Sequence, residues 1–128
     1  MNSIKKLKNN ISETDTINEI IIDSIRDIKG KNIIKMDLRH IPGSSADFFI
    51  ICEGDSTVQV SSIAGNVYKR MKDEMSSIPI SFEGKNNSTW VLVDYFTTVV
   101  HVFYKDTRKF YNLESLWNDA KVEIFSEF

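Results

Sequence analysis

A single mixed α/β (α+β) domain, with a β-sheet of about five strands flanked by helices, is the fold class that this 128-residue sequence predicts, and three observations carry it. Segments of helical period alternate with segments of period two along the chain. The run Phe48-Phe49-Ile50-Ile51-Cys52 is apolar at every position, as a central strand covered on both faces requires. Trp90–Tyr95 and Val99–Tyr104 are two apolar runs split by a short break, the pattern of a hairpin. With 41% hydrophobic and 27% charged residues, the composition excludes collagen-like, low-complexity and long coiled-coil chains. A chain of this size buries roughly two-thirds of its unfolded surface, enough for one core without disulfide or metal.

The elements follow in order. Residues 1–12 are polar, with three lysines and three asparagines, and are expected to form a flexible arm ahead of a domain spanning 13–128. Ile17, Ile20, Ile21, Ile25 and Ile28 recur at helical spacing, with Glu13 and Asp15 in the first turn and Gly30 past the last. Ile34, Met36 and Leu38 then alternate with Lys35, Asp37 and Arg39 as a strand, which His40-Ile-Pro-Gly-Ser-Ser45 breaks. After the central strand, Gly54 and Asp55 turn the chain, and Ser56 with Gln59 makes a capping box. The helix behind it buries Val60, Ile63, Ala64, Val67, Tyr68, Met71 and Met75. Ile78, Ile80 and Phe82 alternate around Pro79, which points to an edge strand or a strand start. A polar loop, Glu83 to Thr89, leads into the hairpin. Phe110, Leu113, Leu116, Trp117 and Ala120 recur at helical spacing, so the chain is expected to end in a helix packed on the sheet.

Charge and cysteine usage narrow the function classes. Sixteen Lys and Arg against eighteen Asp and Glu give a net charge of -2, which offers polyanions no global attraction. Contact with RNA is therefore expected through another protein, without direct sequence-specific recognition. The one cysteine, Cys52, excludes an internal disulfide and fits a reducing cytoplasm. No apolar h-region follows Lys5, Lys6 and Lys8, and no stretch approaches the ~20 apolar residues of a membrane span. A soluble, unprocessed, cytoplasmic chain is expected.

Chemistry-bearing motifs are sparse. His40, His101 and Cys52 show no metal-ligand spacing, so no metal is expected. Cys52 ends an apolar strand, where a thiol is normally an inert small hydrophobe. Gly43-Ser44-Ser45 and Gly54-Asp55-Ser56 lack the spacing and trailing Lys of a P-loop, and no nucleophile elbow or dinucleotide fingerprint is present. No catalytic residue and no cofactor is expected.

The hairpin holds the less ordinary residues. With a two- or four-residue loop, Trp90, Leu92 and Asp94 share a face with His101 and Phe103, and Asp94 is expected directly opposite His101. A three-residue loop breaks this grouping. The group reads either as a Trp anchoring the core beside a solvated Asp–His pair, or as a binding surface in which Trp supplies contact area and charges fix orientation.

Four stretches carry a resemblance to a known family: Asp47-Phe-Phe-Ile-Ile-Cys52 with Gly54 and Ser56; Gln59-Val60 with Ile63-Ala64; Glu83-Gly84 with Trp90-Val-Leu-Val-Asp-Tyr95; and Val99-Val-His-Val-Phe103 with Arg108, Phe110-Tyr111, Leu113-Glu114 and Leu116-Trp117. In this order the chain, from about Ile17 to Ala120, resembles the ribosomal silencing factors, the Iojap-like family. The resemblance implies a translational repressor that docks on ribosomal large-subunit protein fourteen and sterically blocks joining of the subunits, and that is homodimeric when free. It also implies a nucleotidyltransferase-like fold without the catalytic motif, and here Gly43-Ser44 is trailed only by the lone Asp47. Paired carboxylates are what hold the metal ions of phosphoryl transfer, so no enzyme is expected. Trp90 matches the family tryptophan of the partner-binding surface; Asp94, Tyr95 and His101 match its Asp-Tyr and Val-His-Val motifs; Asp47, Glu83 and Tyr111 match further motif positions.

The chain also departs from the family. Phe96-Thr97 stands where many relatives carry Gly-Asp, and Val58 stands where they carry Arg. An Asp lost at the hairpin tip removes a turn-capping or ion-pairing group, and Phe96 exposes apolar area. The alternative readings are a nucleotidyltransferase-type enzyme with atypical residues and a homodimeric interaction module.

Overall fold

The computed structural model describes residues 2–126, with side chains over 13–126. Helix α1 (Asn2–Asp27) starts upstream of the acidic turn expected to begin it, and turns Ile21, Ile22 and Ile25 into the interior. The side chains of the expected arm, residues 1–12, lie outside the described residues. The helix closes with paired bonds from Lys29 N–H to the Arg26 carbonyl and from Gly30 N–H to the Ile25 carbonyl, each 3.0 Å. Lys29, at φ 62°, is the left-handed residue. Gly30 is required for another reason: a Cβ there would collide with the Ile25 side chain.

The strands are β1 (Lys31–Asp37), β2 (Phe48–Gly54), β3 (Ser81–Glu83), β4 (Trp90–Asp94), β5 (Thr98–Tyr104) and β6 (Lys121–Phe125), in the sheet order β3-β4-β5-β2-β1-β6. All neighbours run antiparallel except β2 and β5, which are parallel at the centre. The doubly apolar run is thus an interior strand, as its composition predicts.

Helix α2 (Thr57–Met75) joins α1 on one face of the sheet. Ser56 caps it, its side chain accepting from Gln59 N–H at 3.1 Å. The returning arm of the capping box goes one residue further back, where Gln59 Oε1 accepts from Asp55 N–H at 2.7 Å. The same amide donates to the Ile28 and Lys29 carbonyls, tying the start of α2 to the end of α1. Between the helices and the sheet lies an almost purely aliphatic core that includes Ile21, Ile25, Ile33, Ile50, Val60, Ile63, Val91, Val100 and Val102.

The opposite face is covered by a C-terminal strap. Here the structure corrects the expected terminal helix. Helix α3 (Lys105–Tyr111) ends at Asn112, which adopts φ 47°, and a 3-10 turn follows over Leu113–Trp117. The chain then pairs with β1 as β6, a sixth strand. The apolar spacing at 110–120 is real but interrupted: Leu113, Trp117 and Ala120 pack inward on Met36, Leu38, Ile51 and Phe103, while Phe110 and Leu116 face solvent.

Two further expectations change. The strand around Pro79 contracts to Ser81–Glu83, leaving Ile78 and Ile80 exposed, because Pro79 cannot donate to the ladder and only Ile80 N–H reaches the Asp94 carbonyl. Asp94 pairs with Val99, and the residue opposite His101 is Leu92. Four residues, 95–98, separate the paired Asp94 and Val99, so the parity of the face survives while the pairing moves by two.

Candidate functional site

Period-two geometry assembles the site on the strap face. Trp90, Leu92 and Asp94 of β4 align with Phe103, His101 and Val99 of β5, and β3 adds Glu83 opposite Leu92. Gly84, at φ 90°, lets the following loop fold tightly over the Trp90 carbonyl, which any Cβ at that position would strike. From the parallel neighbour β2, Phe49 comes onto the same face, and the strap lays Tyr111 and Trp117 over it.

The result is a continuous aromatic seam. Trp117 meets Phe49 edge-on at 5.7 Å between centroids, Phe49 meets His101 edge-on at 4.7 Å, and Trp90 lies 4.8 Å from Phe103 and 5.0 Å from Tyr111. Phe110 meets Tyr111 edge-on at 5.1 Å. These separations are those at which aromatic pairs gain beyond simple area burial. The seam grades from interior to solvent: His101 is 4% exposed, Trp90 and Leu92 are half-buried, and Tyr111 is 53% exposed.

One hydrogen bond organises the centre. The indole Nε1–H of Trp90 donates to His101 Nδ1 at 3.1 Å. An indole can only donate, so Nδ1 is unprotonated and the neutral ring carries its proton on Nε2. That Nε2 is buried and without a partner among the described residues. Burial, opposed by the nearby Glu114 carboxylate, lowers the His101 pKa to about 4. The imidazole is therefore a neutral, rigid member of the seam. This replaces the solvated Asp–His pair: Asp94 sits at the strand end, where its Oδ1 accepts from Phe96 N–H at 2.7 Å and holds the turn.

A second set of contacts fixes the strap. The Arg108 guanidinium, nearly buried, bonds the Asn32 carbonyl at 2.6 Å, Glu53 at 3.1 Å and Glu114 at 2.8 Å. One planar cation thereby joins α3 to the ends of β1 and β2 and sets the height of Tyr111 against Trp90.

The remaining expected residues are dispersed. Tyr95 follows Asp94 by one residue and so falls on the helix face, in the aliphatic core, where burial raises its pKa. Asp47 is exposed at the hairpin-tip end, its backbone N–H bonded to the Thr97 carbonyl at 2.9 Å. Trp90, His101, Glu83 and Tyr111 thus share one region, whereas Asp47 and Asp94 lie toward the tip. Phe49, Trp117 and Phe110 belong to the seam although the sequence marked them only through their period and as members of the family stretches, not as site residues; the parity of Phe49 relative to the buried Ile50 was the available signal. Cys52 is wholly buried, with its pKa pushed up to about 12 by desolvation, and stays a protonated thiol. Among the described residues no group of His, Cys, Asp and Glu is arranged to hold a metal ion, and no helix is long and apolar enough to cross a membrane.

Comparison with known proteins gives a consistent picture. A family model described as ribosomal silencing factor during starvation matches residues 11–127. The ribosomal silencing factor of Bacillus subtilis is 44% identical over 94 residues, covering 73% of this chain and 78% of its own. That of Halalkalibacterium halodurans is 38% identical over 102 residues, covering 80% and 86%. A crystal structure of a Chromobacterium violaceum protein superimposes with a TM-score of 0.76 at 35% identity, covering 81% of this chain and 85% of that one.

Proposed function

Because the chain belongs to the ribosomal silencing factor family, whose role is ribosome-associated regulation of translation, we propose that it represses translation by docking its aromatic face on the large ribosomal subunit. The contact is with ribosomal large-subunit protein fourteen, and the bound factor excludes the small subunit by bulk, without catalysis. The observation that carries this reading is the graded seam: a rigid, desolvated centre at Trp90 and His101 that runs out to an exposed Tyr111 and Phe110. Rigid aromatic anchors ringed by polar groups are what hot spots are made of. Glu83 at the edge of the face supplies the acidic group that meets basic side chains of the partner, and Asp94 and Asp47 extend that charge toward the hairpin tip. Tyr95 supports the face from behind.

The protein works in the cytoplasm, is a homodimer when free, and carries residues 1–12 as an arm that limited proteolysis would remove while the 13–128 domain stays whole. Co-sedimentation with isolated subunits tests the docking. The factor travels with the large subunit alone and lowers the yield of joined particles with dose; binding to neither subunit, or riding on joined particles without separating them, refutes the reading. The enzyme alternative returns only if a nucleotide panel with divalent metal shows turnover that Asp47→Ala abolishes.

A further inference from the structure

On the helix face, away from the seam, a cleft of about 650 Å³ runs between α1 and the corner of the sheet where β6 joins β1. Small-molecule sites measure about 300–1,000 Å³, so the cleft has the size of one. One wall is a single stripe of α1, because Asp15, Asn18, Glu19 and Ile22 follow one another at helical spacing. The other wall is built from Lys35 of β1 and from Glu123 and Phe125 of β6.

The cations around the cleft are already engaged. Lys35 pairs with Glu123 at 3.3 Å, and Arg70 pairs with Asp23 at 2.7 Å. Arg39, whose charge reaches Asp15, is held by Asp37 at 2.7 Å. The Arg26 guanidinium donates to the Ser126 carbonyl at 2.8 and 3.1 Å and lies 5.7 Å from the centroid of the Phe125 ring. Two carboxylates are left over. Asp15 and Glu19 are exposed, stand one helical turn apart, and make no ion pair or hydrogen bond among the described residues.

Asn18 lies between them, at the floor of the cleft. It is 1% exposed, and its Oδ1 accepts from the Thr98 hydroxyl at 2.7 Å. Its Nδ2 donor is buried and meets no acceptor among the described residues. Folded proteins seldom leave a buried amide N–H unpaired, because it has lost its water and gained nothing in return. The floor therefore asks for an acceptor, while the mouth asks for a cation.

These two demands select the ligand. An anion is repelled by Asp15 and Glu19, a bare polyamine brings Asn18 no acceptor, and no third ligand among the described residues joins the two carboxylates to hold a metal ion. We infer that the cleft binds a small organic cation that carries a neutral oxygen close to its charge, the chemistry of an amino sugar or an amino alcohol. Its ammonium sits between Asp15 and Glu19, a hydroxyl oxygen accepts from Asn18 Nδ2, and its carbon skeleton lies on Ile22 and the Phe125 ring. Nδ2 is covered in the free protein, so the ligand oxygen reaches it as the walls part, and the Asn18 side-chain amide reports that step directly. The site is on the opposite face of the sheet from Trp90 and Tyr111, and its occupancy is independent of subunit docking.

The test is a titration of isotope-labelled protein at neutral pH, followed by amide nuclear magnetic resonance. The probe is glucosamine. Putrescine, which has the charge without the oxygen, and N-acetylglucosamine, which has the oxygens without the charge, are the controls. Glucosamine should shift the Asn18 side-chain amide and the backbone amides of Asp15 and Glu19 along a saturable curve, and bind at least tenfold more tightly than either control. The double variant Asp15→Asn, Glu19→Gln changes exposed side chains only, so it should melt as wild type does and bind glucosamine at least tenfold more weakly. The absence of a saturable shift up to the solubility of glucosamine overturns the proposal. So does either control binding as tightly as glucosamine, or a double variant that binds it like wild type.

Discussion

The two faces of this sheet bury similar strands and do opposite jobs. Under α1 and α2 the core is mostly aliphatic and closed, its few buried polar residues including Asn18, Ser24 and Thr98, with the Thr98 hydroxyl donating to Asn18 Oδ1 at 2.7 Å and the Ser24 hydroxyl to the Ile20 carbonyl at 2.6 Å. Under the strap it is aromatic, holds an imidazole whose Nε2 has no partner among the described residues, and grades into solvent. Aliphatic side chains maximise buried area and ask for nothing further. Aromatic rings with polar tips give up some of that economy for shape, rigidity and directional bonding, which a partner can read. The comparison teaches that stability is concentrated on one side and recognition on the other, and substitutions can break or sharpen that division.

The largest expected effect is on the helix face. Ile50 is fully buried among α1, α2 and β5, and Ile50→Ala should lower stability by about 4 kcal/mol from lost transfer energy and the cavity left behind. Denaturant titration measures it, and subunit binding by the folded fraction should stay as in wild type. Next is the pH response of the seam. The folded His101 protonates only near pH 4, while the unfolded ring does so near 6.5. The unfolded state thus binds more protons between those values, so stability is full above about 6.5 and falls as pH drops toward 4, by roughly 3 kcal/mol. Protonation also ends the acceptance of the Trp90 N–H at Nδ1. Melting curves from pH 7 to 4 should show this loss, and His101→Phe should flatten it.

Trp90→Ala comes third and straddles the division, because Trp90 is half in the core and half on the surface. It should cost about 2 kcal/mol of subunit binding and a similar amount of stability, read from titration and melting of the same variant. The smallest effect is expected at the hairpin tip. Phe96 is 71% exposed and sits at φ 75°, a left-handed conformation that glycine adopts freely. Phe96→Gly should therefore raise stability by about 1 kcal/mol, with a larger proportional change in self-association or binding if the exposed ring is used in either.

Legibility in the sequence followed locality. Both helices, the cap at Ser56, the interior position of β2 and the shared face of the hairpin are set by short-range period and capping, and all are readable from neighbouring residues. The pairing of Asp94 was not, since a four-residue turn with Phe96 at positive φ breaks the usual residue preferences of turns. Strand β6 was missed for a different reason. Its partner β1 lies almost ninety residues earlier, and Lys121-Val-Glu-Ile-Phe125 is too exposed to show a strong core pattern beside the helical spacing that precedes it. The site was half legible: Trp90, His101, Glu83 and Tyr111 were marked by their motifs, whereas the placement of Tyr95 in the helix-face core and the entry of Phe49 and Trp117 into the seam depend on register and on a strap that only the folded chain reveals.

The most direct test of the division is Tyr111→Ala, followed by co-sedimentation with purified large and small subunits and by melting. Tyr111 is exposed and carries little of the core, so the expected result is an unchanged melting temperature with binding to the large subunit weakened tenfold or more. Wild-type binding by a normally folded variant would contradict the assignment of recognition to the aromatic face.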